Sequence, residues 1–566
     1  MMSDVWLRSD RIILLGLFVV SLIILGFQVS NSGLAHPNEL LYAESARDMY
    51  ERGDWLTPYF DGEPRLNKPI LFYWFILMAY HVLGPSLFAA RLCAVLCGAI
   101  GVVLLYLSGR ALFDRATGLF AAAIALTTWG YAVYARYAMT DMALTMWLTA
   151  AMYCLIQIAI RAPAPPETVS WRRWVLAFYL MLGLGFSTKG PPALLPLLIA
   201  AVYVLWTRQP NLARQLFLSW GWLIFILTAA PWYVLMWVLH QDTLLEITHM
   251  EVVARSTGQL SDAEPVWYYV PLLFGYFFPW SIFLPATLIT YRWWRLDAAP
   301  NAGRLVLCWL GVIFLLFSLI RGKNPQYILP AFMPLAIIIG YTFAHSLPGA
   351  HRLSSQIKAP RSMQWSAYIV TGMLALGALM AAFFSSLLMR QLHSPLIYGN
   401  VLILAAGIIA LLWSLRRRHY RTVFAALATT QLLVWLFFLG QSLPQFDYDP
   451  GAYFAKAIQR HSTAVDRVGS MRIEPKALLF WLQRPIMTIG NVEQARDFLQ
   501  PPGRAFVVMR QADWAHLSEI AQQPLYILET GKRFRELDAD DLISPWHYGY
   551  DLTEQLVLVS NASHGS

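Results

Sequence analysis

LAHPNELLYAESARDMYERGDWLTPYFDGEPRLNKPILFYW, residues 34–74, lies between two long apolar segments yet carries the densest charge in the first third of the chain. Glu39, Glu44, Asp48, Glu51, Asp54, Asp61 and Glu63 alternate there with Arg47, Arg52, Arg65 and Lys68. Neighbouring membrane helices can be joined by a handful of residues, so a polar loop of about forty points to a task beyond connection. His36-Pro37-Asn38-Glu39 reads as a turn, Leu40–Arg52 as a short amphipathic helix, and Asp61-Gly62 with Pro64 as a second turn. The chain re-enters an apolar run at Lys68-Pro69. The expectation is an active-site loop lying on a membrane face.

Working outward, the composition sets the class. Of 566 residues, 58% are hydrophobic and only 13% charged, against about 25% charged in an ordinary soluble protein. Repeated apolar runs predict an α-helical polytopic membrane protein. They fall near 12–30, 70–84, 91–109, 117–133, 142–160, 174–187, 190–206, 216–238, 266–290, 304–320, 327–345, 365–388, 397–415 and 422–440. The run at 70–84 is short and follows the charged loop, so it reads as interfacial or re-entrant, leaving about thirteen spans. The run from Ile12 to Phe27 lacks a small-residue cleavage site and reads as a first membrane anchor rather than a signal peptide. Cys93, Cys97, Cys154 and Cys308 all fall in apolar runs without metal-ligand spacing, which predicts packing rather than disulfides or a metal.

The net charge of +9 raises the question of nucleic acid, but the distribution argues against it. With the N-terminus inside, every inside connector is basic: Arg110 and Arg115; Arg161, Arg172 and Arg173; Arg208 and Arg214; Arg292, Arg295 and Arg304; Arg352, Lys358 and Arg361; Arg416, Arg417, Arg418 and Arg421. An odd number of spans then puts the tail outside. From about Gln441 the tail has ordinary polarity, with strand-like runs at 505–509, 524–528 and 555–559 and helical stretches at 452–460 and 512–522. Two domains are expected: a membrane domain over 1–440, with long outer loops at about 31–69 and 240–265, and a small α/β domain over 441–566.

On that topology the remaining ionisable groups converge on the outer face. They are Glu39 and Lys68 (with Asn38 beside Glu39) in the first loop, Arg136 and Asp141 in ARYAMTDM, Lys189 in STKGPP, Glu246, His249, Glu251 and Arg255 in the second loop, and Arg321 and Lys323 in RGKNPQY. Ionisable residues at membrane depth are costly and are candidates for function. Each has a plain alternative: Arg136 and Arg321 can snorkel, Asp141 can cap the helix that follows, and the Gly/Pro turns at Lys189 and Lys323 can simply end helices. Taken together, two acids (Glu39, Asp141) amid several cations suit a substrate that is both anionic and hydroxylated. Lysine and arginine offset phosphate charge, and a carboxylate can accept a hydroxyl proton or steady an oxocarbenium-like sugar centre. A lipid-linked phosphosugar meets both demands.

HPNELLYAESARDMYERGDWLTPYFDGEPRLNKPILFYW, ARYAMTDMALT, GLGFSTKGPPALLP, PWYVLMW, FFPWSIFLP and RGKNPQYILPAFMPL together resemble the bacterial branch of the protein O-mannosyltransferase superfamily. The nearest resemblance is to the undecaprenyl-phosphate-aminoarabinose:lipid A transferases, of the GT-C fold, over about residues 12–345. The resemblance implies inverting, metal-independent sugar transfer from a polyprenyl phosphate donor on the periplasmic face of the bacterial inner membrane, with no cofactor required. Thirteen spans followed by a periplasmic domain is also that family's architecture. Residue by residue, Asp141 matches the family's second acidic position, Lys68 its loop lysine for the lipid phosphate, Lys189 and Lys323 its TKG and RGK lysines near phosphates, and Arg255 an arginine of its second outer loop. The chain departs from the pattern where the family's catalytic Asp-Glu reads Asn38-Glu39, where its Glu-Lys-Pro reads Asn67-Lys68-Pro69, and where the Glu-His before the loop arginine is not kept.

Loss of the aspartate leaves three readings open: an acceptor that is already anionic, an acid-base role taken by Glu39 or Asp141, or loss of activity. The expected function is transfer of a sugar from an undecaprenyl-phosphate donor to lipid A or another envelope glycan. Glu39, Asp141 and Asn38 form the catalytic group, and Lys68, Lys189, Arg255 and Lys323 hold phosphates. Protein hydroxyls or another polysaccharide are the alternative acceptors. A transporter predicts internal repeats and midplane charges, which the sequence lacks; a silent polyprenyl-lipid-binding scaffold would be marked by Asn38.

Overall fold

The computed structural model describes residues 2–30, 37–161, 169–250, 264–290, 300–345, 361–392, 398–417, 420–442, 450–463, 465–471, 475–482, 484–534 and 553–563. The chain divides into two compact units. One comprises 1–29, 45–381 and 399–437, the other 30–44, 382–398 and 438–566.

The first unit is a helical bundle of the polytopic membrane type. Among the described residues, eight helices are long and apolar enough to cross a membrane: Leu87–Leu112, Thr140–Ile160, Gly221–Leu239, Asn301–Leu319, Pro325–His345, Arg361–Phe383, Gly399–Arg416 and Tyr420–Gln441. A ninth is reached if Tyr269–Tyr276 and Trp280–Ile289, bent by 111°, count as one span. Thirteen is therefore not reached by length and composition, and the remaining predicted spans have physical reasons for falling short. Arg115–Leu126 has 12 residues and ends at Thr127. Val169–Lys189 contains Arg172, Arg173 and Lys189. The segment Pro191–Thr207 is cut short by the turn at Gly190. The helix Met2–Gly26 begins in the polar stretch that carries Arg8, Asp10 and Arg11.

The helix Leu71–Leu83 has 13 residues, about 20 Å, too short for a hydrocarbon core of about 30 Å. The reading of the 70–84 run as something other than a span therefore agrees with its length. Small residues let backbones approach closely in the bundle: a Cβ on Gly118 would lie 2.5 Å from the Tyr106 carbonyl oxygen, and one on Gly340 would lie 2.8 Å from the Ala121 nitrogen. All four cysteines are buried and free.

In the first loop the helix runs Pro37–Arg52, so Pro37, Asn38 and Glu39 form its first turn rather than a separate turn before it. Proline suits that position, where its missing N–H costs nothing. Tyr59–Phe60 and Glu63–Pro64 pair antiparallel around Asp61 (φ 54°) and Gly62 (φ 81°). Two central residues at positive φ are what a tight hairpin of this twist requires.

The second unit contains a five-stranded sheet built from 467–471, 487–489, 505–510, 526–534 and 553–560. The strand 467–471 pairs parallel with 487–489 and with 505–510; 553–560 pairs antiparallel with 505–510 and 526–534. The run Ala505–Met509 is apolar throughout because both faces are covered. Phe506, Val508, Leu556 and Leu558 pack with the helices Pro450–His461 and Pro475–Leu482. Val507, Met509, Val557 and Val559 pack with Val492–Leu499 and Gln511–Ile520. Alternate residues of one strand thus serve two cores. The short strands 467–471 and 487–489 and the helices at 475–482 and 492–499 were not legible as separate elements in the sequence.

Candidate active site

Asp141 is the second residue of the helix Thr140–Arg161, inside its first turn, where unpaired N–H groups and the helix dipole favour a carboxylate. Lys189 is the last residue of Val169–Lys189, the end at which the dipole favours a cation. The Lys189 ammonium lies 2.5 Å from Asp141 Oδ1, with the two side chains 9% and 6% exposed. Asp141 is thus part of a buried ion pair rather than the helix cap. Gly190, at φ 76°, turns the chain away immediately after Lys189, and Pro191–Leu194 follows as a single 3-10 turn. Two bonds hold the end of this helix in place: the Trp147 indole N–H donates to Thr188 Oγ1 at 3.1 Å, and Ser187 Oγ donates to the Thr228 carbonyl at 2.8 Å.

The pair opens on a cavity of about 380 Å³. Lys68 and Asn67 from the first loop share its lining, as do Gln326 and Tyr327, while Leu144, Phe186, Leu244, Phe317 and Ile320 make its walls apolar. The Tyr327 ring centroid stands 5.1 Å from Lys189 Nζ. Its orientation is fixed in two steps: the Asn324 side-chain amide donates to the Tyr327 hydroxyl at 2.9 Å, and the Tyr269 hydroxyl donates to the Asn324 carbonyl at 3.0 Å. Trp232 pins the first loop by donating to the Leu56 carbonyl at 3.0 Å. Chemically, the cavity offers two ammonium groups for an anion, a carboxylate paired with one of them and apolar walls for a hydrocarbon tail.

The other predicted residues are distributed differently. Lys323 is 8% exposed, and its ammonium donates to the Glu264 carbonyl at 2.8 Å. It does not line the cavity, although its neighbour Gly322 does. Burial pulls its pKa below the usual lysine value, against the opposing pull of the Glu264 charge. Asn38 is exposed and Glu39 fully buried in the first turn of Pro37–Arg52, and both belong to the second compact unit. Arg255 lies outside the described residues.

Two readings of the loop charges change. Arg136, 6% exposed, donates to the carbonyls of Leu25 at 3.1 Å, Phe27 at 2.6 Å and Gln28 at 3.0 Å. Arg91 donates to the Val29 carbonyl at 2.7 Å. Both arginines satisfy carbonyls left open where the first helix ends, so Arg136 is neither a snorkelling residue nor part of the cavity. Much of the first loop's charge is also internal: Arg52 Nη2 meets Asp48 at 2.6 Å and Arg52 Nη1 meets Asp54 at 3.7 Å, and Arg47 meets Glu51 at 3.6 Å. Tyr327, Asn324 and Tyr233, the last of which also lines the cavity, were missed in the sequence. The first two belong to the quoted RGKNPQY stretch, and only their polar side chains beside Lys323 could have singled them out. Among the described residues, no group of three His, Cys, Asp or Glu side chains gathers as metal ligands.

The profile of the dolichyl-phosphate-mannose-protein mannosyltransferase family matches residues 12–244. An undecaprenyl phosphate-α-4-amino-4-deoxy-L-arabinose arabinosyl transferase of Pseudomonas fluorescens is 31% identical over 349 residues, 61% of this chain and 61% of its own. The Pseudomonas paraeruginosa protein of that name is 33% identical over 332 residues, 58% of each chain. The matched region therefore spans about three fifths of the length of these relatives. The structure of ArnT from Cupriavidus metallidurans bound to undecaprenyl phosphate superposes with a TM-score of 0.73 at 22% identity, covering 99% of this chain and 98% of that one. The profile match thus covers residues 12–244, and the chain is similar to the protein mannosyltransferases and aminoarabinose transferases, sharing its fold end to end with the Cupriavidus metallidurans structure.

Proposed function

We propose that this protein is an inverting glycosyltransferase of the bacterial inner membrane. It moves a sugar from an undecaprenyl-phosphate donor to lipid A or another envelope acceptor on the periplasmic face. The observation that carries this reading is the buried Asp141–Lys189 pair, opening with Lys68 on an apolar cavity of about 380 Å³. A phosphate needs the cations, a polyprenyl chain needs the walls, and the transfer needs a carboxylate. Lys68 and Lys189 hold the donor phosphate in this account, with Lys323 and Arg255 as further phosphate ligands. Asp141 and Glu39 do the acid-base or sugar-orienting work, and Asn38 stands where the family has its aspartate. The transfer requires no metal or cofactor in this reading, which follows the resemblance. The names of the two Pseudomonas relatives support an aminoarabinose donor and the family profile supports a protein hydroxyl acceptor as the second reading.

The thirteen-span topology is part of the same proposal. It adds to the eight long helices the bent pair, Met2–Gly26, Arg115–Leu126, Val169–Lys189 and the Pro191–Thr207 segment. The membrane domain then ends near residue 440 and residues 441–566 form a periplasmic domain. Binding of undecaprenyl phosphate to the purified protein tests the phosphate assignments. Lys68→Met and Lys189→Met should each weaken it by about tenfold or more, equivalent to about 1.4 kcal/mol. Unchanged affinity in both would remove the basis of the reading.

A further inference from the structure

A second cavity of about 470 Å³ shares no lining residue with the first among the described residues. Among the described residues its walls are mostly carbon, from Trp129, Phe274, Phe278, Met373 and Leu404 among others, with the Gln431 amide and the Trp129 indole N–H as the polar side-chain groups. Two glycines face open space: a Cβ built on Gly275 or on Gly377 meets no atom within 4 Å. Every helix around it except the one that carries Trp129 is of spanning length and composition or belongs to the bent pair. Only 28% of Arg361–Phe383 and 22% of Gly399–Arg416 are covered by the rest of the protein. The surroundings of the cavity are therefore bilayer hydrocarbon. Its depth follows from helix rise: Leu404 lies five residues from Gly399, and Gly377 lies sixteen residues, about 24 Å, from Arg361. The cavity thus sits toward the side opposite the basic helix ends Arg361, Arg416 and Arg421.

Water is a poor occupant, because an internal water needs two to four polar partners and the described side chains of this wall are almost all apolar. A polar solute would be left without partners as well. A hydrocarbon chain leaves no polar group unpaired and withdraws apolar surface from any residual water. We propose that this cavity is a lipid site that takes an acyl chain of a bilayer phospholipid from the leaflet opposite the basic helix ends. The chain passes between the bent pair and the Arg361–Phe383 helix and lies against Gly275 and Gly377. This site is independent of the sugar-transfer reading and stands or falls apart from it.

The test uses the full chain reconstituted in liposomes that contain a phosphatidylethanolamine with a diazirine in one acyl chain. After photolysis, peptides are mapped by mass spectrometry. The expected adducts fall on the segments holding Phe274–Ile282 and Met373–Gly377, and Gly377→Leu, whose side chain would fill the cavity, abolishes them. Met373→Trp serves as a second plug should Gly377→Leu fail to fold, with thermal unfolding as the check on both. Adducts elsewhere only, labelling insensitive to both plugs, or labelling displaced by undecaprenyl phosphate would each overturn the proposal. The last outcome would assign the cavity to the polyprenyl chain instead.

Discussion

Lys189 and Asp141 meet at 2.5 Å across the facing ends of two helices, one at a C-terminus and the other at an N-terminus, with both side chains almost fully withdrawn from solvent. Dipoles and charges reinforce each other in that arrangement, since each group stands at the helix end that prefers its sign. Neither partner can be removed alone without leaving the other buried and uncompensated. A donor phosphate arriving at Lys189 would meet a cation whose position is already fixed.

This coupling is measurable. Lys189→Met and Asp141→Asn should each lower stability by about 3 kcal/mol, the usual scale for breaking a buried pair. The double variant should lose much less than the sum. Thermal unfolding of the four proteins in detergent checks this, and additive losses would mean the two groups do not interact.

Arg136 should behave as a structural cap. Its guanidinium serves three carbonyls at the end of the first helix, so Arg136→Ala should cost about 2–4 kcal/mol through lost charge-assisted bonds. Arg136→Lys should rescue little, because an ammonium cannot reproduce the fork. Undecaprenyl phosphate affinity of whatever protein remains folded should equal that of the wild type, and a selective loss of affinity would return Arg136 to the site.

Gly190 holds φ 76°, and a Cβ there would stand 3.4 Å from the Tyr233 hydroxyl. Gly190→Ala should cost about 1–3 kcal/mol through backbone strain, because φ 76° with ψ −140° is a conformation essentially confined to glycine. It should also weaken donor binding, because the strain falls on the residue next to Lys189. Unfolding and binding measured on one preparation separate the two effects.

Lys323 supplies a pH prediction. Burial lowers its pKa in the folded protein, so between that value and the ordinary lysine value the folded state binds fewer protons than the unfolded chain. Its contribution to stability therefore rises with pH across that window, and below it the buried charge is a standing cost. Lys323→Met should flatten this alkaline rise in a pH series of unfolding midpoints. If Lys323 holds a phosphate, donor affinity should fall over the same window, and Lys323→Arg should keep it.

The elements that could be read from the sequence are those set by local chemistry. The apolar runs announced membrane helices, Asp61-Gly62 announced a turn, which the structure closes as a hairpin, and the stretch at 505–509 announced a strand, which the structure buries on both faces. Asp141, Lys189 and Lys68 were legible as candidates because charge is conspicuous amid apolar sequence, and they do share one cavity. What could not be read was partnership across long separations. Arg136 looks like any interfacial cation until the carbonyls of Leu25, Phe27 and Gln28 are found beneath it. Tyr327 looks like an interfacial aromatic until its ring is found beside Lys189. The count of spans suffered for a related reason: Arg115–Leu126 and the Pro191–Thr207 segment are broken by turns that an apolar average passes over.

The most direct test of the account is mass spectrometry of lipid A from cells lacking the gene and from cells overexpressing it, wild type and with Glu39→Gln or Asp141→Asn. The account predicts a sugar-sized mass increment that depends on the gene and disappears in both variants while the proteins remain folded and in the membrane. An increment that persists in both variants would contradict the assignment of the carboxylates. Lipid A, glycoproteins and surface polysaccharide all unchanged by deletion and by overexpression would contradict the transferase itself.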